Sequence, residues 1–189
     1  MADPTILLLM YFILPLWLLA GFADWICHRA SHIETATGAK ESLIHLLMFA
    51  EVGIPLLAGI FLEINALIIS VMIAAFFVHE ATALWDVSYA TTAREVTPIE
   101  QHVHSFLEMI PLMAIVCVVS LHWQQFLALF GLGSQAPRFD LTWKAQPLPI
   151  GYVAALMTMI VIFEFLPYLE ELVRGLVANR GKLVPPKAK

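Results

Sequence analysis

The sequence predicts an all-α membrane protein, a bundle of about five transmembrane helices, from three observations. Of its 189 residues, 60% are hydrophobic and only 13% are charged, where a soluble domain has about 45–50% and about 25%. Mean hydropathy is +0.83. The apolar residues fall into five stretches of about 20 residues, the length that crosses a hydrocarbon core of about 30 Å. Five such crossings use about 100 residues. Residues 1–173 are therefore read as one bundle and residues 174–189 as a basic tail. The net charge of −5 excludes a basic face for nucleic acid. Cys27 and Cys117 lie in or beside apolar runs and form no C-x-x-C pair, which excludes a disulfide framework and a redox dithiol.

Span 1 covers residues 4–23. No Lys or Arg precedes it, so the charged region of a secretory leader is missing and it is read as a retained helix. That helix is expected to run on through Asp24, His28 and His32. Span 2 starts near Glu41 and ends near Leu62, and span 3 covers residues 64–85. The turn between them carries no Gly or Pro signal. Length demands it, because one helix over 42–88 would be about 70 Å long at 1.5 Å per residue. Span 4 opens on Thr97-Pro98-Ile99-Glu100, a capping box with proline at the first helical position, and continues to Leu121. Residues 122–149 are the longest polar connection, with 126–130 lying along the surface. Span 5 covers 150–172, and the tail after it is expected to be loose. Pro15, Pro55, Pro111 and Pro167 fall inside spans, where neighbouring helices can satisfy the freed backbone groups.

Five crossings put Arg29, Lys40, Arg94, Arg174, Arg180, Lys182, Lys187 and Lys189 on one side, and Arg138 and Lys144 on the other. This bias predicts an integral membrane protein, as of a bacterial inner membrane, with the N-terminus outside and the C-terminus cytoplasmic. Trp25 and Trp85 fall near the inner interface, and Trp123 and Trp143 near the outer one, as aromatic belts do.

On this topology six of the seven histidines share the inner leaflet: His28 and His32 on span 1, His45 on span 2, His79 on span 3, and His102 and His104 on span 4. Acids accompany them. Asp24, His28 and His32 are spaced i, i+4, i+8, one stripe on a helix. Glu41 and His45 are i, i+4; His79 and Asp86 are i, i+7, with Glu80 beside His79; Glu100, His104 and Glu108 are i, i+4, i+8. His102 points about 160° away from His104, so only one of them faces the bundle centre. Ionisable groups at membrane depth are costly, and imidazoles and carboxylates on facing helices are what a bundle uses to hold iron, manganese or zinc.

Any one of these groups, taken alone, reads as a solvated interfacial side chain. Their convergence is what points to metal. Glu100 is either the capping partner of Thr97 or a ligand. Glu34 and Glu41 flank a short polar loop and are read as solvated. Glu51, about 120° from the His45 face, is expected to pair with another helix. Arg94 is read as a positive-inside residue more than as a counter-ion. Glu164, Glu170 and Glu171 are read as an interfacial acidic patch, and Cys27 as packing.

His28-Arg29-Ala30-Ser31-His32, an H-x3-H box at a cytoplasmic helix end, with later histidines at inner helix ends, resembles the membrane-bound histidine-box di-iron family of fatty acid desaturases, hydroxylases and alkane hydroxylases. The resemblance implies oxygen chemistry on C–H bonds of lipid-like substrates, with electrons from an outside donor. It makes His28 and His32 metal ligands, with His79, His102 and His104 after them. That family carries adjacent His-His pairs in its later boxes. This chain has His79-Glu80 and Glu100-Gln101-His102-Val103-His104 instead, so carboxylates such as Asp24, Glu80, Asp86 or Glu108 would replace some imidazoles.

The leading expectation is thus a di-iron membrane oxidoreductase acting on a lipid-like or quinone-like substrate that enters from the bilayer. Its metal ligands would be Asp24, His28, His32, His45, His79, Asp86, Glu100, His102 and His104, with Glu80 and Glu108 as catalytic acids. One alternative is an intramembrane zinc hydrolase, similar to the ceramidase-like class, in which a free carboxylate activates zinc-bound water. Another is a non-enzymatic haem or metal carrier.

Overall fold

Each apolar stretch forms one long helix. The computed structural model describes residues 3–186; Met1, Ala2 and residues 187–189, among them the counted cations Lys187 and Lys189, lie outside the described residues. Helix α1 spans Pro4–Ala30, α3 Ala39–Phe61, α4 Ala66–Ala90, α5 Pro98–Leu121 and α7 Ile150–Ala178, each long and apolar enough to cross a membrane. Two short helices, α2 (Ile33–Ala36) and α6 (Trp123–Ala128), lie in the connections. Among the described residues there is no strand, only an isolated antiparallel bridge between Leu62 and Trp143. The chain fits an all-α integral membrane protein.

Local chemistry sets most helix ends. Asp3 caps α1 by accepting from the Thr5 amide at 2.7 Å, with Pro4 in the first turn. The capping box of α5 forms as expected: Thr97 Oγ1 accepts from the Glu100 amide at 3.2 Å, and Glu100 Oε2 accepts from the Thr97 amide at 3.4 Å. The α3–α4 turn uses Asn65, whose side-chain oxygen accepts from the Ile68 amide at 3.2 Å. The turn is also braced from outside, by Glu63 N–H donating to Thr142 O at 2.8 Å and Asn65 Nδ2 to Asp140 O at 2.8 Å. Two spans contain a π-helical turn, Leu9–Ile13 in α1 and Val161–Phe165 in α7, each just before a proline, Pro15 or Pro167. Proline cannot bond the carbonyl four residues back, and a π turn is one way a helix absorbs that defect.

Helix α3 packs along α4 and against the C-terminal half of α7, while α1 packs along α5. Ile13, Trp17, Leu18, Ile60, Ile110 and Leu156 form the main core. The outer surface is apolar too: Leu19 is 65% exposed, Phe77 66% and Leu84 70%. Apolar faces outside as well as inside are what lipid as solvent requires.

Two boundaries differ from expectation. Helix α1 stops at Ala30, and His32 adopts a left-handed conformation (φ 51). The last span runs on to Ala178, past the boundary drawn at residue 173. The segment after it is not loose. Asn179 Nδ2 donates to Glu34 O at 2.7 Å, and Leu183 O accepts from the Lys40 amide at 2.9 Å. Gly175 makes this closure possible, since a Cβ there would stand 2.9 Å from the Ala39 backbone.

Candidate metal centre

The end of the bundle that carries the C-terminus gathers polar side chains from all five long helices. Helix α1 ends in Asp24 and His28; α3 begins with Glu41 and His45; Asp86 comes from α4, Glu100 and His104 from α5, and Glu171 from α7. All eight are buried. Helix periodicity explains each local pair: residues four apart stand one above the other on one face.

The imidazoles are held by one carboxylate. His28 Nδ1 donates to Glu171 Oε2 at 2.9 Å, and His45 Nδ1 donates to Glu171 Oε1 at 2.7 Å. The two rings stack at 4.3 Å with 9° between their planes. Glu171 thereby directs both Nε2 atoms toward other acids. His28 Nε2 lies 3.5 Å from Asp24 Oδ1 and 3.6 Å from Glu100 Oε1. His45 Nε2 lies 3.3 Å from Asp86. His104 Nε2 is 2.9 Å from Asp24 Oδ1, yet that oxygen has no aligned hydrogen bond.

Arg94, from the loop before α5, is the counter-ion. Its guanidinium grips Glu100 through two nitrogens, at 2.6 and 3.0 Å, and reaches Glu41 at 2.6 Å. Burial works against its charge, but Glu100 and Glu41 outweigh that and raise its pKa above the usual arginine range.

These residues fit a cation. Asp24 Oδ1, His28 Nε2, Glu41 Oε2 and Asp86 Oδ1 are buried without a hydrogen-bond partner, and such atoms are costly unless something satisfies them. Asp24, His28 and His104 can bring one ligand atom each to within 4.8 Å of one another, and so can His28, Glu41 and His45. His28 belongs to both groups, so the two sites would adjoin.

Of the residues expected at the site, Asp24, His28, His45, Asp86, Glu100 and His104 come together. His32 does not, because α1 ends before it; its side chain is 76% exposed and lies beside Glu34. His102 also turns away, exposed and against Phe106, with ring centroids 5.4 Å apart. His79 is buried near the cluster but faces Glu51, with Nδ1 3.8 Å from Glu51 Oε2. Glu51 accepts from Thr82 Oγ1 at 2.8 Å, the partnership with another helix that its position predicts. Glu108 lines a cavity of about 60 Å³ beside the cluster, together with Asp24, His45, His79, Asp86 and His104. Glu80 is half-buried and outside that wall.

Four corrections concern residues read as peripheral. Glu41 is fully buried, not solvated. Glu171 is fully buried at the centre and not part of a surface patch; its neighbour Glu170 does stay at the surface, bonded to Arg29 and Trp25. Glu164 is 1% exposed and sits over Gly21, where a Cβ would meet its carboxylate at 2.0 Å. Arg94 is the cluster's counter-ion. The available signal was the spacing of Glu164, Tyr168 and Glu171 at i, i+4, i+7, one face of α7.

Comparison with protein-family models, curated proteins and solved structures finds no match to this chain.

Proposed function

We propose that this chain is an integral-membrane non-haem metalloenzyme, a di-iron, oxygen-dependent oxidoreductase that hydroxylates or desaturates a lipid-like substrate. One observation carries the reading. Asp24, Glu41, Asp86, Glu100 and Glu171 are buried together; Arg94 reaches only Glu41 and Glu100, while Asp24, Asp86 and Glu171 face the imidazoles of His28, His45 and His104. With neutral imidazoles, and with Glu164 also buried beside them, the carboxylates outnumber the one guanidinium by several charges, an excess that divalent cations would offset. Left uncompensated, buried charges cost several kcal/mol each. Oxygen and imidazole donors without thiolate suit iron, manganese or zinc, and carboxylates with histidines on facing helices are the di-iron arrangement of helical bundles.

When bound, iron would supply oxygen activation and C–H oxidation, with electrons from a donor protein. The chain's own residues would do the rest. Glu171 fixes the tautomer and orientation of His28 and His45, as carboxylates behind metal-bound imidazoles do. Arg94 holds Glu41 and Glu100 in place, and burial keeps water out. Of the two acids first considered for proton transfer, Glu108 is the better placed, being on the cavity wall. The apolar outer shell suits a substrate arriving from the bilayer, and the cation bias would put the site in the cytoplasmic leaflet. Face-to-face stacking of His28 and His45 speaks against haem, whose axial imidazoles bind end-on from opposite sides.

Elemental analysis and an optical spectrum of the purified protein test the proposal. About two irons per chain and no Soret band are expected. His28→Ala and His45→Ala should each strip metal, whereas His32→Ala and His102→Ala should leave the stoichiometry unchanged. One zinc per chain would favour the intramembrane hydrolase instead, a Soret band would favour a haem carrier, and a metal-free protein would overturn the metal centre.

A further inference from the structure

A second cavity, of about 230 Å³, lies deeper in the bundle than the cluster, mostly among apolar residues of α1, α3, α4 and α5, including Pro55, Met72, Ala75 and Ala114, with His122, Lys144 and Tyr152 also in its wall. Trp17 and Val52 wall both this cavity and the smaller one beside the cluster. Two polar side chains stand where the cavities adjoin. Glu51 lines the apolar cavity and His79 the smaller one. The side chains of Glu51 and His79 are only 10% and 8% exposed. Thr82 occupies Glu51 Oε1, but Glu51 Oε2 and His79 Nδ1 have no hydrogen-bond partner. At 3.8 Å apart they are too distant to bond each other. They are near enough for a single oxygen to bond both.

We propose that Glu51 and His79 form a hydroxyl-binding station, and that the ligand of this bundle is a single-chain alcohol whose hydroxyl-bearing half lies in the apolar cavity. This deepens the function proposed above and rests on it for the claim that the bound alcohol is a substrate. A hydroxyl both donates and accepts, so it can satisfy a carboxylate oxygen and a ring nitrogen together. A ligand carboxylate placed at this station would face the Glu51 carboxylate at close range and be repelled, although Lys144 also lines the cavity. Glu51 is near the middle of α3, a helix long and apolar enough to cross a membrane, and at the middle of such a span a neutral hydroxyl is far less costly than an ammonium. With its oxygen on His79, the chain's functional end would face the small cavity and the cluster beyond it.

Photo-crosslinking of the full-length protein in detergent tests the station. The probe is a long-chain primary alcohol carrying a mid-chain diazirine, and the competitors are hexadecanol, hexadecane and hexadecylamine. In the wild type, label should map to peptides containing Pro55 and Ala114. Hexadecanol should compete about tenfold better than hexadecane, the factor expected of one buried hydrogen bond. Glu51→Leu with His79→Leu should keep the labelling and erase that preference, and Glu51→Leu alone should reduce it. Ala114→Phe and, independently, Ala75→Phe should abolish labelling by filling the cavity. Chelating the metal should change none of this, so a protein that binds alcohol but no metal would defeat only the function above. Equal competition by alcohol and alkane in the wild type, a preference undiminished by Glu51→Leu, or hexadecylamine as the strongest competitor would overturn the station.

Discussion

Arg94 and Arg138 grip carboxylates in the same way and do opposite things. Arg138 binds Asp140 through Nε at 3.1 Å and a terminal nitrogen at 2.8 Å. Arg94 binds Glu100 through two terminal nitrogens at 3.0 and 2.6 Å. The first pair stands in water, with side chains 54% and 45% exposed; the second is sealed, with side chains 5% and 1% exposed. Exposed pairs gain little because water already solvates both partners. A sealed pair has lost that water, so each partner depends on the other. A two-nitrogen grip is therefore a surface detail in the 122–149 connection and a structural requirement at the candidate metal centre.

Replacing Arg94 should give the largest effect. Arg94→Ala leaves Glu41 and Glu100 buried and unpaired, and a loss of about 3–5 kcal/mol is expected, read as a lower midpoint of thermal unfolding in detergent. Arg94→Lys should recover only part of it, because an ammonium cannot reproduce the two-nitrogen grip. If Arg94→Ala unfolds like the wild type, the cluster is not sealed and the contrast with Arg138 collapses.

The next effect should come from Glu171→Gln. The amide can still accept one imidazole N–H but loses the charge and the second acceptor, so His28 and His45 are no longer held alike. Metal affinity should fall about 10–100-fold, as when the group behind a metal-bound histidine is removed, with the fold retained. Titration against a competing chelator measures it; unchanged affinity would remove Glu171 from its orienting role.

The smallest effect should come from Arg138→Ala, whose unfolding midpoint should match the wild type at neutral pH. Hydrogen bonds from Arg138 and Thr142 lower the Asp140 pKa to about 2. A depressed carboxyl pKa stabilises the fold above the ordinary range near 4, and that contribution disappears as pH falls through about 2. Whatever Arg138→Ala costs should therefore be fully present above about pH 4 and vanish as pH falls through about 2, and it should be small throughout because the pair is exposed. A clear loss at neutral pH would mean that this connection is sealed as tightly as the other end.

The five spans and the α5 capping box were legible in the sequence because composition, apolar run length and an i, i+3 side-chain bond are local properties. The six converging residues Asp24, His28, His45, Asp86, Glu100 and His104 were legible for the same reason, through their depth on each helix and their spacing. His32 was misread because an unbroken helix was extrapolated through residue 32, whereas the backbone turns left-handed there to begin the link to α3. The turn before Ala66 was legible from length alone, but its bracing was not, because that comes from residues 138–145.

What distance along the chain cannot convey is who stands opposite. Glu170 and Glu171 are neighbours of the same residue type, and 100° of helical rotation puts one against Trp25 and Arg29 at the surface and the other between two imidazoles. The same holds for Glu41, which reads as solvated, and for Arg94, which reads as a positive-inside residue, until α3, α5 and the loop before α5 close around them. The order of apolar and polar residues decides that this chain makes five lipid-spanning helices with ionisable groups near one end. The packing of those helices decides which of these groups lose water, since burial and charge compensation depend on all the neighbours at once.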